Sequence, residues 1–346
     1  MIWTVGAMLA AGPASAAPAA PSAASWGFNP LLLALLAGAG WLYMAGVDRL
    51  AARKRPVAAW RQTLFYAALV LIYAALQSPL DRMAEHQYWL HAVQQLMLRV
   101  AGPMLIALSA PVSALLAGLP GQGRRRLARA LPHRGAPKRA LRALARPLPA
   151  SALFILTLYF WALPPVQNAA LRHVPLHIAL NLSAFATGLL FFLTLFDPRD
   201  PPVAAPHGRR QMMLIGASFG QILIGAAMTL KPMVVYPAYD RAFGMAAKAD
   251  EATGGFLMWT PTCLILLAAI MLVVVQWNGA EARRWARAQR GGLSNSEIMA
   301  LMPQTAEELW MVAGPKNRRL AFSLSAIPLV LFMLVFAIVE TVRILG

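Results

Sequence analysis

The sequence predicts an all-α polytopic membrane protein: a helical bundle of about eight transmembrane helices, with seven as the alternative count. Three observations carry this. First, 59% of the 346 residues are hydrophobic and only 13% are charged, far outside the composition of soluble domains. Second, eight apolar runs approach or exceed the roughly 20 helical residues that cross a hydrocarbon core. They cover residues 29–47, 60–77, 89–118, 149–163, 175–196, 211–230, 255–277 and 321–340, the fourth being the shortest. Third, 24 of the 31 Lys and Arg fall in alternate connections, within residues 49–61, 124–146, 199–210 and 283–319.

In lipid every backbone polar group needs a partner within its own segment, so runs of this length must be helices. The charge alternation follows the positive-inside pattern. It puts the N-terminus outside, the even connections outside and the C-terminus outside, as expected for a multi-pass protein of a bacterial inner membrane. The same distribution argues against nucleic acid as the reason for the +18 net charge. The basic stretch "RRRLARALPHRGAPKRALRALAR" reads as a topology determinant, with contact to anionic membrane lipids as the alternative.

Residues 1–28 read as a signal-like segment, whose "ASA-A" resembles a cleavage site, followed by a disordered Ala/Pro-rich outer tail. Residues 29–346 read as a single transmembrane helical domain. Its longest connections are an outer loop, 231–254, and an inner one, 278–320, in which Ile298, Met299, Leu301 and Met302 mark a short amphipathic surface helix. The lone Cys263 excludes a disulfide framework and a CxxC metal clip within this chain. No Walker loop, dinucleotide fingerprint or GxSxG elbow is present, and the reading is not an enzyme.

The chemistry lies in two polar ladders. His91, Gln95 and Arg99 are spaced by four and share one face of the third run, flanked by Gln94. His173, His177 and Asn181 repeat the spacing on the fifth. From the charge-derived topology, both ladders start at the outer boundary and run inward, with His91 and His177 at similar depth. Intramembrane polar side chains face the bundle interior or a wet cavity. Arg99 calls for a carboxylate, carbonyls or an external anion, and Asp81, Glu85 and Glu340 are the acids near outer ends of runs. Four readings stand side by side. Imidazole suits copper, and Met thioethers, plentiful at 17 residues, suit Cu(I). Facing histidines suit haem as axial ligands. The ladders could line a proton or anion path. They could also fix helix packing by hydrogen bonds alone.

"SPLD" at Ser78–Asp81, "HAVQQLML" at His91–Leu98, "NAALRHVPLHIALNLSAFATGLLFF" at Asn168–Phe192, "YPAY" at Tyr236–Tyr239 and "DEATGGFLMW" at Asp250–Trp259 together resemble the multi-spanning CtaG family of assembly factors for caa-type cytochrome c oxidases. The resemblance runs from the second run through the seventh. It implies a partner, the cytochrome c oxidase subunits, and a role in maturing a haem–copper oxidase at its outward-facing copper centre or during subunit assembly. It also implies His91 and His177 as the central metal pair, with His86 and His173 near the mouth. Gln94, Gln95 and Asn181 would be hydrogen-bonding neighbours, Arg99 would organise the polar core, and Asp81, Asp250 and Trp259 would be motif residues anchoring loops. The sequence departs from the family pattern at Gln95 and Asn181, where two more histidines are expected. Gln and Asn hydrogen-bond but are poor transition-metal ligands. Three outcomes follow: copper is held more weakly by His91 and His177, or His86, His173 and Met97 hold it instead, or the polar network is kept and the metal lost. Haem ranks below copper in this reading. A membrane transporter of copper or a small solute, and a structural oxidase partner without ligand, are the alternatives. The ladders fade toward the inner half of both runs, which favours an outward-facing site over a conduit.

Overall fold

A computed structural model describes residues 27–130, 139–140, 143–199, 204–241, 244–290, 307–308, 322 and 333. The signal-like segment up to residue 26, the amphipathic stretch around Ile298 and the eighth run lie outside these, apart from single positions within the last. Among the described residues all regular structure is helical.

Helix α1, Pro30–Ala52, starts where the Asn29 side chain accepts from the Leu31 and Leu32 amides and Pro30 presets the first turn. Helix α2 follows at Ala59–Gln77. Ser78 then caps a short connecting helix, α3, Pro79–His86, by accepting from the Leu80 amide. Helix α4 runs Tyr88–Ser109. The third apolar run was expected to be one span as far as residue 118, but the chain breaks at Ala110, in the left-handed region (φ 48°), before Pro111. Residues Val112–Gly118 form a separate helix, α5, against α1. The two approach so closely that a Cβ at Gly46 would lie 1.8 Å from the Ala114 carbonyl oxygen. Arg49 seals this contact by donating to the carbonyls of Ala117, Gly118 and Leu119.

After α6, Gly121–Ala130, comes a bent pair. Helix α7, Pro147–Ala162, ends at the extended Leu163, because Pro164 and Pro165 force a restart as α8, Pro164–Arg172, at 74° to it. Helices α9, Val174–Leu195, α10, His207–Leu230, and α11, Ala247–Arg290, complete the described bundle. Helix α11 begins at Ala247, inside what the sequence reading assigned to a loop as far as residue 254. Asp250 and Glu251 therefore belong to a membrane helix.

Six of these helices are long and apolar enough to cross a membrane, or seven if the bent pair counts as one span. Helix α4 is the axle: 56% of its central window is buried, against 17% for α1, and it packs on α2, α9 and α11. The largest core cluster joins α4, α7, α9, α10 and α11 through residues such as Val100, Phe154, Phe191, Leu214 and Leu266.

The loops sort by end as the charge alternation predicts. At one end Gly27 bonds Gln77, Arg241 bonds His86, and Asn168 bonds Val235 and Ala238. The other end gathers Arg61, Asp197, Arg199, His207, Arg210 and Arg283 around one pocket.

Candidate functional site: a histidine pair under a tyrosine roof

The site is set by the start of α4. Gln87 precedes the helix without a side-chain cap of its own. The cap comes from α11 instead: the Asp250 carboxylate accepts from the Tyr88 and Trp89 amides at 3.1 and 3.0 Å. A carboxylate at a helix N-terminus satisfies orphan amides and complements the helix dipole. Glu251, next along, is fully buried. It accepts from the Val235 and Tyr236 amides, from Arg241 at 3.0 Å and from Lys231. Arg241 also lies 3.5 Å from Asp250. Two acids and two bases thus balance where the 231–246 loop folds onto the bundle.

That loop supplies the roof. Tyr236 donates to the Ala162 carbonyl at 2.6 Å, holding the break between α7 and α8, and Gln167 donates to the Tyr239 hydroxyl at 2.7 Å. Burial pushes both phenols well above their usual range, so they stay protonated. Tyr88 and Tyr239 lie against the His91 ring, its centroid 6.4 Å from each, and Tyr236 packs on Tyr88 with centroids 4.8 Å apart.

Beneath the roof the two ladders meet. The His91 and His177 rings face each other, with centroids 6.4 Å apart and planes at 64°. His91 is buried, and neither its Nδ1 nor the buried Nε2 of His177 has a hydrogen-bond partner. One turn deeper Gln95 donates to Asn181 at 2.8 Å. The two residues that stand where further histidines were expected therefore lock α4 to α9. Gln94 points the other way, donating to the Ala75 carbonyl at 2.9 Å and to Asp81 at 2.6 Å. Burial raises the Asp81 carboxyl above its ordinary value. Arg99 lies deepest, its guanidinium 4.4 Å over the Phe154 ring.

Its position has a local cause. The ring of Pro103 would collide with the carbonyl four residues back, which is that of Arg99. The helix avoids this by widening into a π-helical turn, Leu96–Ala101, in which the Gly102 amide reaches back five residues to Met97. Such turns recur at functional positions. Gly188 on α9 then lies directly against the freed Arg99 carbonyl.

The remaining residues fall elsewhere. His86 bonds Asp240 at 2.8 Å on the exposed rim. The His173 backbone starts α9, with its side chain in the open. Met97 packs with Ile72 and Leu98, away from the pair. Trp259 lies over Gly225 of α10, where a Cβ would come within 2.4 Å of its ring. Glu85 is exposed, so neither it nor Asp81 pairs with Arg99. No group of three or more His, Cys, Asp or Glu placed to hold a metal occurs among the described residues. The sequence reading missed Glu251, Lys231, Arg241, Gln167 and Tyr88 as parts of the site. Pro103, four residues past Arg99, was the readable signal for the π-helical turn.

The model of the cytochrome c oxidase caa3 assembly factor family (Caa3_CtaG) matches residues 41–280, from within α1 to within α11. The chain belongs to this family. The match contains both ladders, the tyrosine roof and the Asp250–Glu251 cluster. Uncharacterized proteins of Mycobacterium bovis and Mycobacterium tuberculosis are each 24% identical to the chain over 206 residues, covering 58% of it and 31% of their own length. The chain thus spans about a third of the length of these curated relatives. No solved structure matches.

The rim contact yields a first expectation. His86–Asp240 is a solvent-screened pair, worth about 1 kcal/mol at most. His86→Ala should lower the unfolding temperature by no more than a few degrees. A much larger drop would mean that the contact is more than a screened rim pair.

Proposed function

We propose that the protein assists the maturation of a caa3-type cytochrome c oxidase from the outer face of a bacterial inner membrane, handing on a cuprous ion through His91 and His177. One observation carries this reading: two imidazoles from different spans face each other across 6.4 Å, with a buried, unpartnered nitrogen on each. Buried polar atoms are rarely left without partners, and a soft, low-coordinate ion accepts two imidazole nitrogens. A two-ligand site suits cargo held in passing, since it leaves further positions on the ion for an acceptor. The Gln95–Asn181 bond keeps the two helices in register, and the tyrosine roof covers His91. Copper is favoured over haem because the adjoining cavity of about 50 Å³ is room for a few waters, far short of a porphyrin. The role proposed is the one the family description gives, that of an assembly factor.

The test is genetic. Oxidase activity should fall on deletion, return with the wild-type gene, and stay low with His91→Ala/His177→Ala unless copper is added in excess. Full rescue by the double variant without added copper would remove the metal from the reading. Undiminished oxidase in the deletion strain would remove the assembly role.

A further inference from the structure

Among the described residues the interior charges are not all matched. Near the roof, Asp250 and Glu251 are matched by Lys231 and Arg241. Arg99 has no such match. It is 3% exposed, its Nε and Nη2 have no hydrogen-bond partner, and no carboxylate among the described residues pairs with it. The face of Phe154 is its one visible attraction, and a ring quadrupole offsets only a small part of the cost of desolvating a cation. The guanidinium opens onto the cavity of about 50 Å³, whose lining also includes His91, Gln95, Trp161 and Gln221. The Gln221 side-chain oxygen is buried there without a partner, and a half-turn of that amide would present two N–H donors to the same space.

We propose that this cavity is a binding site for one compact monovalent anion, of which chloride is the type, held by Arg99 and Gln221. Water alone could satisfy the N–H groups but not the charge. A single guanidinium supplies one positive charge, and the space admits a halide with a water or two; a tetrahedral dianion fits neither. The bound anion neutralises the charge of Arg99 and braces α4 against α7 and α10. It does not depend on metal at the histidine pair, and its test involves no oxidase.

The purified full-length protein, in nanodiscs of neutral lipid, is heated while chloride replaces gluconate at fixed ionic strength, and unfolding is followed by tryptophan fluorescence. The wild type should gain a saturable few degrees. Arg99→Met should lose the chloride response, and Arg99→Lys should keep a weaker one. Gln221→Leu, which leaves the charge in place, covers the case in which Arg99→Met does not fold: it should raise the chloride midpoint severalfold. A wild type indifferent to the exchange, an Arg99→Met protein with the full response, or an unmoved midpoint in Gln221→Leu overturns the proposal.

Discussion

Glu251→Gln is expected to lower the stability of the protein by about 3–5 kcal/mol, the range for removing one member of a buried ion pair. The cause is what it leaves behind. Glu251 is fully buried and serves Lys231, Arg241 and two backbone amides at once. The amide can keep one or two of those bonds but not the charge, so two largely covered cations, 13% and 12% exposed, are left with Asp250 alone. Asp250 is already engaged in capping α4, and drawing it toward Lys231 would loosen the helix that carries His91. Unfolding in detergent should therefore show a drop of roughly 10 °C, against almost none for Glu85→Gln on the exposed surface. Adding Lys231→Met to Glu251→Gln should recover part of the loss, because it removes the stranded cation. Equal behaviour of Glu251→Gln and Glu85→Gln would mean that the cluster does not hold the loop to the bundle.

The legibility of this molecule divides by the range of the forces involved. Hydropathy is a one-dimensional signal, and it suffices to mark six or seven helices of membrane length and to bring His91 and His177 to one level. Spacing by four suffices to put Gln95 beneath His91 and Asn181 beneath His177. That Gln95 and Asn181 bond each other, and so replace two ligands by a clasp, depends on the α4–α9 distance, which no helical period encodes. Asp250 was readable as a motif residue but not as the cap of a helix more than 160 positions earlier in the chain, because such caps normally come from the preceding few residues. The third run was misjudged for a different reason. Hydropathy does not see backbone conformation, so "SAP" at Ser109–Pro111 was absorbed into a span that it terminates.

Gly188→Ala tests whether the α4–α9 spacing matters as this account requires. A methyl group at Gly188 would lie 2.1 Å from the Arg99 carbonyl oxygen and 3.0 Å from its carbon. Both are backbone atoms of the π-helical turn and cannot rotate aside. On helix propensity alone, Gly→Ala would stabilise α9 by up to about 1 kcal/mol. Here overpacking should reverse the sign and cost about 1–3 kcal/mol. The helices must separate to admit the methyl, and Asn181 lies two turns along α9, only about 10 Å away. The Gln95–Asn181 bond of 2.8 Å has no slack for that movement, so the histidine pair should open as well. Oxidase maturation should then fall in cells even where the protein still accumulates. Gly38→Ala is the matched control: it lies in the interior of α1, with nothing within 4 Å of the added carbon, and should be neutral or slightly stabilising. If Gly188→Ala instead stabilises the protein as Gly38→Ala does and supports full maturation, the close approach at Arg99 does not set the geometry of the histidine pair. The Pro103 turn would then not be coupled through Gly188 to His91 and His177.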